Sequence, residues 1–189
     1  MTTIYFIRHA QADNTNNDNR NRPLTEKGLV DRTLVTDFLK DKEIDVIISS
    51  PYKRAVDTIS DFAELVGIEI EIIEDLRERE AASERFTSIN DFSSYKKMQW
   101  NDFNYKISNG ESLSEVQARN IDAIGNIINK YRNKNIVIGT HGTALSAIIN
   151  YYDNTYGFDE YKAMEMIMPW VVKMDFENSD CIGIEKIEV

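Results

Sequence analysis

Ile4-Tyr5-Phe6-Ile7-Arg8-His9 has a counterpart far along the chain, Ile136-Val137-Ile138-Gly139-Thr140-His141. Each is a short, apolar, β-branched-rich run of the kind that fills a buried strand. Each ends on a histidine, and the chain has only 2 histidines in 189 residues. Open α/β sheets bind their ligands at the carboxyl ends of the strands. A lone histidine at a strand end is more often structural than catalytic. Both histidines of a chain at matching strand ends point to a reaction centre.

Outward from these runs, strands and helices alternate. Asp45-Val46-Ile47-Ile48-Ser49-Ser50 reads as a second strand. Pro51 then starts a helix with Ala55, Ile59, Phe62, Ala63 and Val66 inward, and Gly67 ends it. Ile68 to Ile73 alternates Ile and Glu, the mark of a half-exposed edge strand. Asp13 to Arg22 is too polar to pack and reads as a loop. Thr25 is the expected N-cap of a helix whose apolar face is Leu29, Leu34, Val35, Phe38 and Leu39. Ser112 or Ser114 caps a long helix reaching Tyr131, with Val116, Ile121, Ile124, Ile127 and Ile128 inward. A helix from Thr143 to Tyr151, a short helix over 158–168 and a hairpin of Val171–Phe176 with Ile182–Ile187 close the chain. The alternation predicts an α/β fold, three layers α/β/α around a mainly parallel mixed sheet. Residues 1–189 read as one domain. Within it, 79–110 lacks a strong period, is rich in aromatics and reads as a small cap over one end of the sheet.

Hydrophobic content of 42% and charged content of 29% fit a globular protein in water. With 22 basic and 32 acidic residues the net charge is −10, a surface that repels nucleic acid and anionic membranes. It repels a phosphorylated substrate as well unless local cations reverse the field, so the position of each arginine is informative. The single Cys181 forms no internal disulfide, and with two distant histidines it argues against a structural zinc site. No metal or other cofactor is expected. The first residues run straight into a strand without a basic stretch followed by an apolar one, and no run nears the ~20 apolar residues that span a bilayer. The expected location is the cytoplasm. Met164-Glu165-Met166-Ile167-Met168 fits either core or interface, which leaves a homodimer open.

A neutral imidazole is a competent nucleophile near neutral pH. Guanidinium forks match phosphoryl oxygens in charge and geometry, and a carboxylic acid protonates a departing alcohol. The motifs carry a resemblance to that chemistry. Arg8-His9-Ala10 resembles the Arg-His-Gly signature of the histidine phosphatase superfamily, the phosphoglycerate mutase-like family. In order along the chain, Pro23-Leu24-Thr25-Glu26-Lys27-Gly28, Ser49-Ser50-Pro51-Tyr52-Lys53-Arg54-Ala55-Val56-Asp57-Thr58, Leu76-Arg77-Glu78-Arg79, Gly110-Glu111-Ser112 with Arg119, and Thr140-His141-Gly142 resemble further segments of that family. Ala10 departs from the usual Gly.

The resemblance implies a phosphoglycerate mutase-like fold and a small phosphorylated substrate. It implies that His9 is the nucleophile that becomes phosphohistidine. Arg8 and Arg54 would clamp the phosphoryl oxygens, His141 would donate to them, and Glu78 would protonate the leaving alcohol and then activate water. A further phosphate contact from the loop after His9 falls at Thr15, beside Asn14. Arg119 reads as a helix-face ion-pair residue rather than a catalyst. The segment 79–110 is short and holds few cations, which favours hydrolysis of a phosphomonoester, expected to proceed without a metal. The alternatives are a phosphoglycerate mutase and a non-catalytic phospho-ligand-binding domain. The alcohol stays open among sugar phosphates, nucleotides, phosphoglycerates and phosphohistidine proteins.

Overall fold

In the computed structural model, which describes residues 1–81, 89–107 and 109–189, one sheet of six strands runs in the order β3-β2-β4-β1-β5-β6. The strands are β1 (Thr2–Arg8), β2 (Val46–Ser49), β3 (Ile70–Ile72), β4 (Asn135–Thr140), β5 (Trp170–Glu177) and β6 (Asp180–Ile187). β1, β4, β2 and β3 are mutually parallel, and the hairpin β5-β6 adds to β1 in antiparallel sense. The sheet is therefore mixed and α/β, with β3 at its edge as the Ile/Glu alternation predicts. The helices are α1 (Glu26–Leu39), α2 (Lys53–Val66), α3 (Ile89–Asn101), α4 (Leu113–Lys130), α5 (Gly142–Tyr152) and α6 (Phe158–Met164).

Period-two alternation divides β1 between two apolar clusters. Ile4 and Phe6 pack with residues of α4, α5 and α6, whereas Tyr5 and Ile7 pack with Val35 and Leu39 of α1 and Ile59 and Phe62 of α2. Burial on both faces is why the strand reads as an unbroken apolar run. Each such side chain contributes roughly 1.5–3 kcal/mol by leaving water.

Two sequence expectations shift. Leu29 and Leu34 of α1 are 44% and 43% exposed, and the buried residues of that helix are Gly28, Val35 and Leu39. Gly28 sets the face: a Cβ there would stand 2.1 Å from the Gln11 carbonyl oxygen, so the first turn lies directly on that backbone. Val35 and Leu39 follow Gly28 at helical spacing, and Leu29 and Leu34 fall beside that line. The short helix after Gly157 ends at Met164 instead of running to 168, and its last carbonyls turn to a side-chain partner described below. α4 follows the expected face, and Ser112 caps it in a reciprocal box with Glu115. Of the segment 79–110, expected to form a cap, residues 82–88 and 108 lie outside the described residues; α3 occupies its middle and packs on α6.

Candidate active site

β1 and β4 pair in parallel with Arg8 opposite Thr140, so the next residues, His9 and His141, leave the sheet side by side. The His9 amide still donates to the Thr140 carbonyl at 3.1 Å, and the two imidazole centroids lie 5.4 Å apart. The convergence expected from the two strand ends is present.

His9 Nδ1 lies 2.7 Å from the Ala10 carbonyl, which can only accept, so the ring proton sits on Nδ1. Nε2 is left with its lone pair, and Arg54 Nε donates to it at 3.1 Å. Burial, then the Arg54 charge, holds the His9 pKa well below the ordinary imidazole value. The ring is neutral, and its outward nitrogen carries the lone pair. Ala10 costs nothing here: its backbone lies outside the left-handed region, and its amide donates to Thr58 Oγ1 at 3.0 Å.

Arg54 lies in the first turn of α2, as its motif implies, and is almost fully buried. Its Nη1 donates to the Asn19 carbonyl at 2.7 Å, and its guanidinium stacks 4.8 Å from the Tyr52 ring centroid. Burial pushes its pKa down to about 10, opposed by Glu78, so it stays charged at neutral pH. Tyr52 also meets the His141 ring edge-on at 5.1 Å.

His141 is fully buried among polar neighbours and does not itself line the cavity. Its Nε2 is 2.6 Å from Ser50 Oγ, which also accepts the Tyr52 amide at 3.3 Å. Its Nδ1 is a buried atom without a partner among the described residues. Burial first, then Arg54, lowers the pKa of His141 well below the ordinary range.

Glu78 reaches across to the start of α5. Its Oε2 accepts the Thr143 amide at 3.0 Å, and its Oε1 accepts the Ala144 amide at 3.0 Å and that of Arg79 at 2.8 Å. Free amides at a helix N-terminus suit a carboxylate. Arg8 is more committed than the motif implies. Its Nη1 donates to the carbonyls of Met164 at 2.7 Å and Ile167 at 2.8 Å, and its Nη2 to that of Glu165 at 3.0 Å. This leaves Nε, buried and without a partner among the described residues, and one Nη2 proton. Gly142 makes room for that group, since a Cβ there would stand 3.2 Å from Arg8 Nε.

A cavity of about 800 Å³ opens over these groups, lined by Arg8, His9, Arg54, Glu78, Gly142 and Thr143 on its floor. Asn14, Asn17, Asn19 and Arg22 line it from the loop after β1. Thr15 does not: it is exposed, and its hydroxyl closes a turn on Asp13 Oδ1 at 2.6 Å. The loop contact expected at Thr15 or Asn14 is thus available from Asn14 only. The far wall is Arg79, Phe92, Lys96, Tyr161 and Glu165. Lys96 is ion-paired to Glu165. Arg79 is buried over the rings of Phe92 and Tyr95, bonded through Nη1 to the neutral Gln99 amide, with no carboxylate partner among the described residues. Sequence reasoning gave no role to Arg22, Arg79 or Ser50. The place of Arg79 beside Glu78 was the one signal for it. Among the described residues no three His, Cys, Asp or Glu side chains gather as a metal site would need, and no helix is long and apolar enough to cross a membrane.

The chain matches the histidine phosphatase superfamily (branch 1) over residues 4–182. It is 28% identical over 159 residues to a protein named putative phosphoserine phosphatase 2 of Hydrogenobacter thermophilus, covering 79% of this chain and 77% of that one. It is 26% identical to the uncharacterized phosphatase PhoE of Bacillus subtilis over 79% of this chain and 76% of that one. The fold is shared with the phosphoserine phosphatase of Entamoeba histolytica, solved in complex with 3-phosphoglyceric acid (TM-score 0.79, 20% identity, 100% of this chain and 98% of that one). The Bacillus stearothermophilus YhfR structure is similar too (TM-score 0.77, 22% identity, 96% and 94%). With the match running from the first strand into the last, this chain belongs to the histidine phosphatase superfamily and is an α/β enzyme of that type.

Proposed function

We propose that the chain hydrolyses small phosphomonoesters through a phosphohistidine formed on His9, without a metal. One observation carries this reading: His9 Nε2 is neutral, held in the nucleophilic tautomer by Ala10, and faces the Arg54 guanidinium at 3.1 Å. In the first step Nε2 attacks phosphorus and the ester P–O bond breaks. Its electron pair goes to the alcohol oxygen, which takes a proton from Glu78. In the second step water attacks phosphorus, Glu78 takes its proton, and the P–N electrons return to Nε2 as phosphate leaves.

Arg54 and the remaining Arg8 donors neutralise the phosphoryl oxygens, the largest requirement of phosphoryl transfer. His141 stands edge-on to the His9 ring, and Asn14 contributes from the loop. Glu78 Oε2 accepts a single amide, which leaves a lone-pair site open for proton transfer. Residues 79–110 form the cap, whose Arg79, Phe92 and Lys96 meet the alcohol. The acidic surface favours small molecules over nucleic acid, and the free Cys181 fits the reducing cytoplasm.

Phosphate release from a panel of phosphoesters in EDTA tests the reading. We expect turnover in wild type and none in His9→Ala; dependence on added Mg²⁺, or survival in that variant, rejects it. The cavity-lining cations beyond Arg8 and Arg54 favour one second reading, a phosphoglycerate mutase, which must hold two anionic ends. Incubation with 3-phosphoglycerate and a trace of bisphosphoglycerate separates the two. Isomer formation without phosphate release selects the mutase.

A further inference from the structure

We infer that Arg119 and Glu111 act together as a strap that positions Glu78, and so control proton delivery to the leaving alcohol without touching the substrate. The inference rests on the reading of Glu78 as the acid.

After a short 3-10 turn over Glu74–Leu76, the backbone from Arg77 to Ala81 has no helix or strand to satisfy it. Backbone carbonyls in such a stretch need partners from elsewhere. Arg119, on α4, supplies them. Its Nη1 donates to the carbonyls of Asp75 at 2.7 Å and Arg77 at 2.8 Å, and its Nη2 to that of Glu78 at 3.2 Å. Its Nε and Nη2 form a two-pronged pair with Glu111 Oε1 at 2.9 Å and Oε2 at 2.8 Å. All five guanidinium protons are thereby used. Glu111 grips the same stretch from its other side, accepting the Glu80 amide at 2.9 Å and Arg77 Nη2 at 3.1 Å. Neither residue lines the cavity, and both side chains are largely buried.

Glu78 is therefore held at two points. The strap fixes its backbone to α4, and the Thr143 and Ala144 amides fix its carboxylate to α5, which packs on α4. Misplacement of a catalytic group by about 1 Å is enough to cost on the order of 10²-fold. A lysine offers three donors from one nitrogen and cannot span three carbonyls and a carboxylate fork. Charge alone at position 119 does not suffice.

The test uses aryl and alkyl phosphates that differ in the basicity of the alcohol. An acid matters little for a dinitrophenyl phosphate, whose phenolate leaves unaided, and greatly for an alkyl phosphate. Glu78→Gln serves as the reference. For Arg119→Lys and Glu111→Gln we expect kcat/KM to fall less than about 3-fold on the dinitrophenyl ester and on the order of 10²-fold on the alkyl ester. Equal losses across the series, or no loss, overturn the strap. If Glu78→Gln itself shows no dependence on the leaving group, the acid assignment fails first. Dependence in Glu78→Gln alone rejects the strap and leaves the acid in place. Should Arg119→Ala fail to fold, the two milder variants, checked by thermal melting, still decide the question.

Discussion

The floor of the cavity and its cap-side wall are built differently. On the floor, His9 and His141 are the residues after two hydrogen-bonded parallel strands, and Arg54 comes from the first turn of α2. Backbone pairing fixes the two histidines. On the wall, Arg79 and Lys96 are held by stacking on Phe92, Tyr95 and Tyr161, by Gln99 and by Glu165. Side-chain contacts of that kind rearrange more readily than a sheet register. The floor therefore suits chemistry, which tolerates little displacement, and the wall suits the choice of alcohol.

Substitutions on the two sides should consequently differ in kind. The largest effect belongs to His9→Ala, for which we expect a loss of more than about 10⁴-fold in kcat with the melting transition retained. Arg54→Ala comes next, at about 10³-fold in kcat/KM, and Arg54→Lys should recover little because the Nε contact to His9 and the stack on Tyr52 both need the planar group. On the wall, Arg79→Ala and Lys96→Ala should raise KM by about 10-fold for substrates with a second anionic group and leave kcat nearly unchanged. A drop in kcat as large as that of Arg54→Ala would erase the division between floor and wall.

The pH dependence sharpens the comparison further. His9 must be neutral to attack, and its pKa lies well below the ordinary value, so kcat/KM should hold as pH falls through about 6.5 and drop only further into acid. An inflection at or above that value contradicts the assignment. The same depression bears on stability. Below about pH 6.5 the unfolded chain binds protons at His9 and His141 that the native state refuses, so stability decreases as pH falls through this window. Denaturant midpoints across that range check the sign, and the His9→Ala variant should lose part of the slope.

What the sequence revealed follows the same line. The strands, the paired histidines and the place of Arg54 were legible because each depends on a few neighbouring residues: an apolar run, the histidine ending it, a proline opening a helix. The face of α1 was not, because Gly28 lies on a loop oxygen and rotates Leu29 and Leu34 toward solvent. Thr15 was placed by the family resemblance, and a local turn on Asp13 captured its hydroxyl. Arg8 was legible as a residue but not in its bonding, since its partners are Met164, Glu165 and Ile167 at the other end of the chain. Glu78 stood among several nearby glutamates, and what distinguishes it is its reach to the α5 amides. Arg119 was read as an ion-pair residue. It is one, with Glu111, and it also binds three carbonyls around the proposed acid.

Covalent trapping examines the nucleophile most directly. Wild-type enzyme mixed rapidly with a phosphoester, quenched in base and mapped by mass spectrometry should carry a transient phosphoryl group on His9 that is lost in acid. The His9→Ala enzyme should carry none. Steady phosphate release with no such adduct, or an adduct on any other residue, would contradict the account.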